Sequence, residues 1–129
     1  MSRYEAHVQA LVRHFAITRQ QCGGDYRCSG ANYPNVIMIP HTIKGPKDYA
    51  AAMHEIGHTQ TFHRAGIWSP IWQGFISPEA HNTEETLAWN WAREHTLWWT
   101  PPMHKALIES YVGHRRWILR KLVKDVHSA

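Results

Sequence analysis

The stretch that most limits how this chain can fold is Lys44 to Gly66, KGPKDYAAAMHEIGHTQTFHRAG. Pro46 suits the first turn of a helix, where its missing N–H is not needed, an Ala-rich run follows, and Gly66 offers a stop. The pattern predicts a helix over 46–63 with His54, Glu55 and His58 in its interior. Gly57 costs such a helix about 1 kcal/mol in propensity. That loss has a use if another element must approach the helix closely at that point.

The remaining elements arrange themselves around this one. Ser2 and Glu5 make a capping-box pattern, and Tyr4, Val8, Leu11, Val12 and Phe15 recur on one face, which predicts a first helix over 3–15. Residues 17–33 are rich in Gly and polar residues. They read as two short strands, 17–21 and 26–29, joined by a hairpin turn at Gly23-Gly24-Asp25. NVIMIP, bounded by Pro34 and Pro40, is a third strand, too short for a helix. After the active-looking helix comes a Trp-, Pro- and Gly-rich loop, IWSPIWQGFISPEAHN. A further helix over 83–97 follows, with Asn82 as N-cap and Glu85 three residues on. Thr100-Pro101-Pro102 opens a last helix over 101–126. Its expected stripe is Leu107, Ile108, Tyr111, Val112, Ile118, Leu119, Leu122 and Val126, with Gly113 as a weak point. The expectation is an α+β fold forming one domain over 1–129, a length at which a chain can bury about two-thirds of its unfolded surface.

Composition excludes more than it assigns. With 43% hydrophobic and 19% charged residues the chain is that of an ordinary globular protein, and no apolar run or leader pattern is visible, so a cytoplasmic protein without a membrane span is expected. The net charge of +4 is partly local, at Arg115, Arg116, Arg120, Lys121 and Lys124. A solvated helix face is the first explanation, and contact with nucleic acid or an acidic partner the alternative. Cys22 and Cys28 form C-x5-C, which fits no usual zinc spacing. Free thiols are favoured over a bridge. The seven Trp are read first as packing and second as substrate contacts.

The chemistry rests on His54, Glu55 and His58. The H-E-x-x-H core alone is weak, since a chain with eleven His would meet it in roughly 5% of shuffles. Its place inside an independently marked helix makes it informative. Residues four apart on a helix stand one above the other, so both imidazoles can reach one zinc ion at about 2.0–2.1 Å. Glu55 lies beside them. Zinc lowers the pKa of a bound water toward about 7, and a neighbouring carboxylate can take that water's proton and pass it to a leaving amine.

A third protein ligand is required, with the fourth position left to water. Thr61 and Arg64 occupy the places where an extended HExxHxxGxxH motif would have Gly and His. His63 projects from another face. A carboxylate from the next helix is the better candidate, and in NTEETLAWNWA either Glu84 or Glu85 could serve, but only one is expected to face the first helix because neighbours diverge by about 100°. His81 is a weaker option from the loop. If Glu85 faces inward, Trp89 and Ala92 share its stripe and should face the core.

The pairing of HEIGH with EETLA about 26 residues later resembles the zincins with a glutamate ligand, in particular the small ImmA/IrrE-type peptidases and the metallopeptidase domain of ArdC-type antirestriction proteins. The resemblance covers about two-thirds of the chain and implies a zincin-like order of helix, strands, active-site helix and glutamate helix. It implies that Glu85, opening the E-x-x-A-like Glu85-Thr86-Leu87-Ala88, joins His54 and His58 on Zn2+ with Glu55 as general base. Such families often steady the oxyanion with a His or Tyr, for which His95, His104, Tyr111 and His114 are unranked options. A zinc peptidase acting on a protein or peptide is thus the leading expectation. The alternative is a non-catalytic zincin-fold protein that binds a partner or nucleic acid through the basic last helix.

Overall fold

The computed structural model describes residues 1–21, 30–32, 35–63, 78–110, 112–113 and 116. The expected Gly23-Gly24-Asp25 turn, both cysteines, the Gly66 stop, the Trp-rich loop through 77 and most of the chain beyond 113 lie outside them. Helix α1 spans Arg3–His14, strands β1, β2 and β3 span Thr18–Gln21, Gly30–Asn32 and Val36–Ile39, helix α2 spans Pro46–His58, and helix α3 spans Pro78–His95. A fourth helix, α4, runs over 101–110. The fold is α+β.

Helix α1 begins as its capping pattern predicts, with the Glu5 amide donating to Ser2 Oγ at 3.0 Å. The reciprocal half of the capping box is not made. Glu5 instead accepts two hydrogen bonds from Arg19, at 2.7 and 2.8 Å, and one from the Ile43 amide at 3.0 Å. Arg19 also donates to the carbonyls of Pro40 and His41, so one buried ion pair ties α1 and β1 to the β3–α2 connection. The helix ends in a Schellman pattern, with the Ala16 and Ile17 amides donating to the Arg13 and Val12 carbonyls. Ala16 has φ 53° there, a conformation that favours glycine.

The expected strand at 26–29, and with it the hairpin, lies outside the described residues. The order of the sheet is β1-β3-β2, with β1 parallel and β2 antiparallel to β3. The most apolar strand takes the centre, where Ile37 and Ile39 are fully buried. The described strand at 30–32 pairs with the third strand.

Helix α2 packs on the sheet, α1 and α3. Tyr49, Ala50, Ala52, Met53 and Ile56 are fully buried, and each large apolar side chain so buried contributes about 1.5–3 kcal/mol. Tyr49 keeps its hydroxyl satisfied between His7 Nδ1 at 2.5 Å and the Leu97 amide at 3.1 Å. The expected helical run to His63 is present, but Thr59–His63 is a π-helical turn. Thr59 and Thr61 hydroxyls donate to the Ile56 and Gly57 carbonyls at 2.6 and 2.8 Å, the local competition for carbonyls that bends and widens helices.

Two helix expectations need correction. Helix α3 starts at Pro78, not 83, so Asn82 lies inside it and Glu85 is not at an N3 capping position. Pro78 is pre-organised for a first turn just as Pro46 is. In α4, Met103 is buried and Ala106 and Leu107 pack on the core, whereas Ile108 and Val112 are 49% and 43% exposed. The described stripe is shifted because Ile108 and Val112, one turn apart, sit one position round from the seam that Met103, Leu107 and Ser110 define. Among the described residues no helix is long and apolar enough to cross a membrane.

Candidate metal centre

The site forms where α2 and α3 meet. Their approach is set by Gly57, at which any Cβ would run into the Ala88 backbone, with the Ala88 carbonyl carbon and Cα both at 3.1 Å. The sequence-stated cost of a glycine inside α2 thus has a packing cause. With the backbones this close, side chains one turn away on each helix meet end to end.

On α3, Glu84, Glu85, Ala88, Trp89 and Ala92 form one buried stripe. The expected inward facing of Trp89 and Ala92 is seen, at 3% and 0% exposure. On α2, His54, Glu55 and His58 are buried at 6–8% exposure. The Glu85 carboxylate lies between the two rings, with Oε2 at 2.7 Å from His54 Nε2 and Oε1 at 3.0 Å from His58 Nε2. The ligand atoms that His54, His58 and Glu85 can offer all fall within 4.8 Å of one another, a buried group that could hold a metal ion.

The expectation that only one of Glu84 and Glu85 could face α2 is corrected. Both are buried, at 2% and 4% exposure, and both reach His58, since Glu84 Oε1 is 3.4 Å from its Nδ1. An imidazole presents nitrogens on two sides, so adjacent carboxylates can straddle it despite the 100° between them. His54 is treated alike, with Glu55 Oε1 3.1 Å from its Nδ1. Each histidine therefore has a carboxylate at Nδ1 and shares Glu85 at Nε2. A carboxylate on the far nitrogen of a ligating histidine fixes its tautomer and raises its basicity.

The electrostatics follow from three carboxyl groups around two rings. Burial disfavours the charged form of His54, but hydrogen bonds to Glu55 and Glu85 outweigh it and hold the ring's pKa above its ordinary value. Burial acts on His58 in the same sense and is overcome by Glu84 and Glu85, which push it up to about 10. The cluster thus draws in positive charge. Two ring protons and one divalent cation are alternative ways of supplying it.

The other residues singled out in the sequence stand elsewhere. His95 Nδ1 is hydrogen-bonded to the Trp91 carbonyl at 2.7 Å and its ring stacks on Trp91. His104 is exposed, at the edge of Trp99. The side chains of His63 and His81, and residues Tyr111 and His114, lie outside the description. The face-on contact of Trp89 with His54, with ring centroids 4.3 Å apart, was not foreseen. Its signal was present, since Trp89 lies one helical turn beyond Glu85. No protein-family model, curated protein or solved structure matches this chain.

Proposed function

We propose that the protein is a zinc-dependent peptidase, with His54, His58 and Glu85 as metal ligands and Glu55 as general base. The observation that carries this reading is the convergence of three buried donors from two helices, with the Nε2 atoms of both histidines turned to one carboxylate. Two imidazoles and a carboxylate form a donor set that zinc accepts while a fourth position stays open for water. Zinc bound there supplies a Lewis acid for a peptide carbonyl and acidifies a water molecule.

The chain's own groups supply the rest. Glu85 would exchange its two histidine contacts for the ion, and Glu84 would keep the Nδ1 proton of His58 in place. Glu55 has the proton-transfer role. Its carboxylate takes the proton of the attacking water and returns it to the amine nitrogen of the departing half, which requires an oxygen free of His54 Nδ1 at the moment of reaction. The zincin-like classification and a cytosolic protein or peptide substrate belong to the same reading, supported by the motif HEIGH and by EETLA on the adjoining helix.

One contact favours a second reading. Glu55 at His54 Nδ1 is also where a purely orienting carboxylate would sit, as in a protein that holds the ion without hydrolysis and acts by binding a partner or nucleic acid through its basic last segment. Glu55→Gln separates the two. The peptidase reading expects zinc retained at about one ion per chain, by elemental analysis, with cleavage of a generic peptide substrate lost. Unchanged turnover in that variant removes Glu55 as base. A zinc-loaded wild-type chain without peptidase activity leaves the second reading standing.

A further inference from the structure

The metal reading leaves Trp89 without a role, although it is the largest side chain against the cluster. It is 3% exposed, its ring lies 13° from parallel to that of His54 at a centroid distance of 4.3 Å, and its indole N–H donates to Ser110 Oγ of α4 at 3.1 Å. A buried indole is ordinarily explained by area alone. Here three features go beyond area: the parallel stacking, the satisfied N–H, and the position one turn after Glu85 on the same helix.

The geometry points to Trp89 as a positioning residue for the His54 imidazole, an inference that rests on the metal reading. A ligating Nε2 must keep its lone pair, which lies in the ring plane, aimed at the ion. Glu55 at Nδ1 and the ion that would take Glu85's place at Nε2 fix the line through the two nitrogens. They leave the ring free to roll about that line. The indole face blocks that roll, and the His58 ring stands edge-on beside the same imidazole at 4.5 Å and 65°. Helix α3 thus provides a ligand from Glu85 and a flat wall from Trp89. Because Ser110 holds the indole, α4 is coupled through Trp89 to His54.

Zinc affinity of the full chain, measured by competition with a chromophoric chelator, tests this against plain packing. Trp89→Phe keeps a flat aromatic face, and Trp89→Leu keeps an apolar side chain without one. Positioning expects Phe to bind zinc close to wild type and Leu to bind about 10–100-fold more weakly, the usual cost of removing an outer-shell partner. Circular dichroism and melting of the zinc-free forms confirm that both variants fold. Ser110→Ala, which only releases the indole N–H, should show a smaller loss in the same direction, and serves if Trp89→Leu does not fold. Cobalt(II) gives a second readout, because its binding should quench a component of the tryptophan emission that is missing in Trp89→Phe. Equal zinc affinity in wild type and Trp89→Leu, or in wild type and Ser110→Ala if the Leu variant does not fold, overturns the inference and leaves the metal reading intact. A wild-type chain that binds no zinc overturns both.

Discussion

Among the described residues charge is buried in two places, and they are built on opposite terms. At the Glu5–Arg19 pair one carboxylate meets one guanidinium in a two-point contact, to which the Ile43 amide and the Pro40 and His41 carbonyls add backbone hydrogen bonds. Arginine does not lose its proton in proteins, so the positive charge here is permanent. At the α2–α3 seam three carboxyl groups surround two imidazoles. Its positive charge comes from protons that can leave. The first network is closed and structural, whereas the second can exchange what balances it, which is the property a cation site needs.

Removing one acid from each region should break them differently. Glu85→Ala is expected to weaken zinc binding by at least about 100-fold, as judged by chelator competition, because one of the three proposed protein donors is gone. Its effect on folding should be smaller than its effect on metal. Glu5→Ala should do the reverse. Arg19 is 17% exposed and its partner 5%, so truncation strands a largely buried guanidinium, and a loss of about 3 kcal/mol in urea unfolding is expected with zinc affinity per folded molecule unchanged. Equal metal loss in both variants would show that the two networks are one cooperative unit.

The two regions also differ in how far the sequence disclosed them. The cation cluster was readable because its chemistry is local on each helix. HEIGH fixes two rings a turn apart, Gly57 announces a close approach, and the resemblance of EETLA singles out Glu85, from which Trp89 and Ala92 follow by counting turns. What could not be read was the second carboxylate, since the 100° rule treats helices as bare cylinders and ignores an imidazole broad enough to touch both neighbours. Glu5 was misread for a related reason. Its spacing from Ser2 fits a capping box, yet its carboxylate answers to Arg19, Ile43 and the turn after β3, contacts between residues up to 38 apart. The β1-β3-β2 order was hidden likewise, because two short strands next to each other in sequence offer no local sign that a third will come between them.

Acidity offers the subtlest contrast, since the two regions should lose stability at opposite ends of the pH scale. Burial raises the Glu5 pKa, but hydrogen bonds from Arg19 and Ile43 and the positive charge nearby outweigh it and leave it lowered. A carboxyl group shifted down contributes stability that is present above its ordinary value and is lost as pH falls through the folded value. His58 is shifted up, from 6.5 to about 10. Its contribution is full below pH 6.5 and drains away between there and about 10. In chelator-treated protein, Tm should therefore fall by about 5 °C between pH 7 and 9. Zinc should flatten or reverse that slope, because the ion replaces the departing protons and binds more tightly as they leave. The acid-side loss from Glu5 should already be present in the zinc-free protein, because that network has no part in binding the ion. An alkaline slope that zinc leaves untouched, in melts recorded by circular dichroism, would mean that the protons of the seam and the cation do not compete for one place.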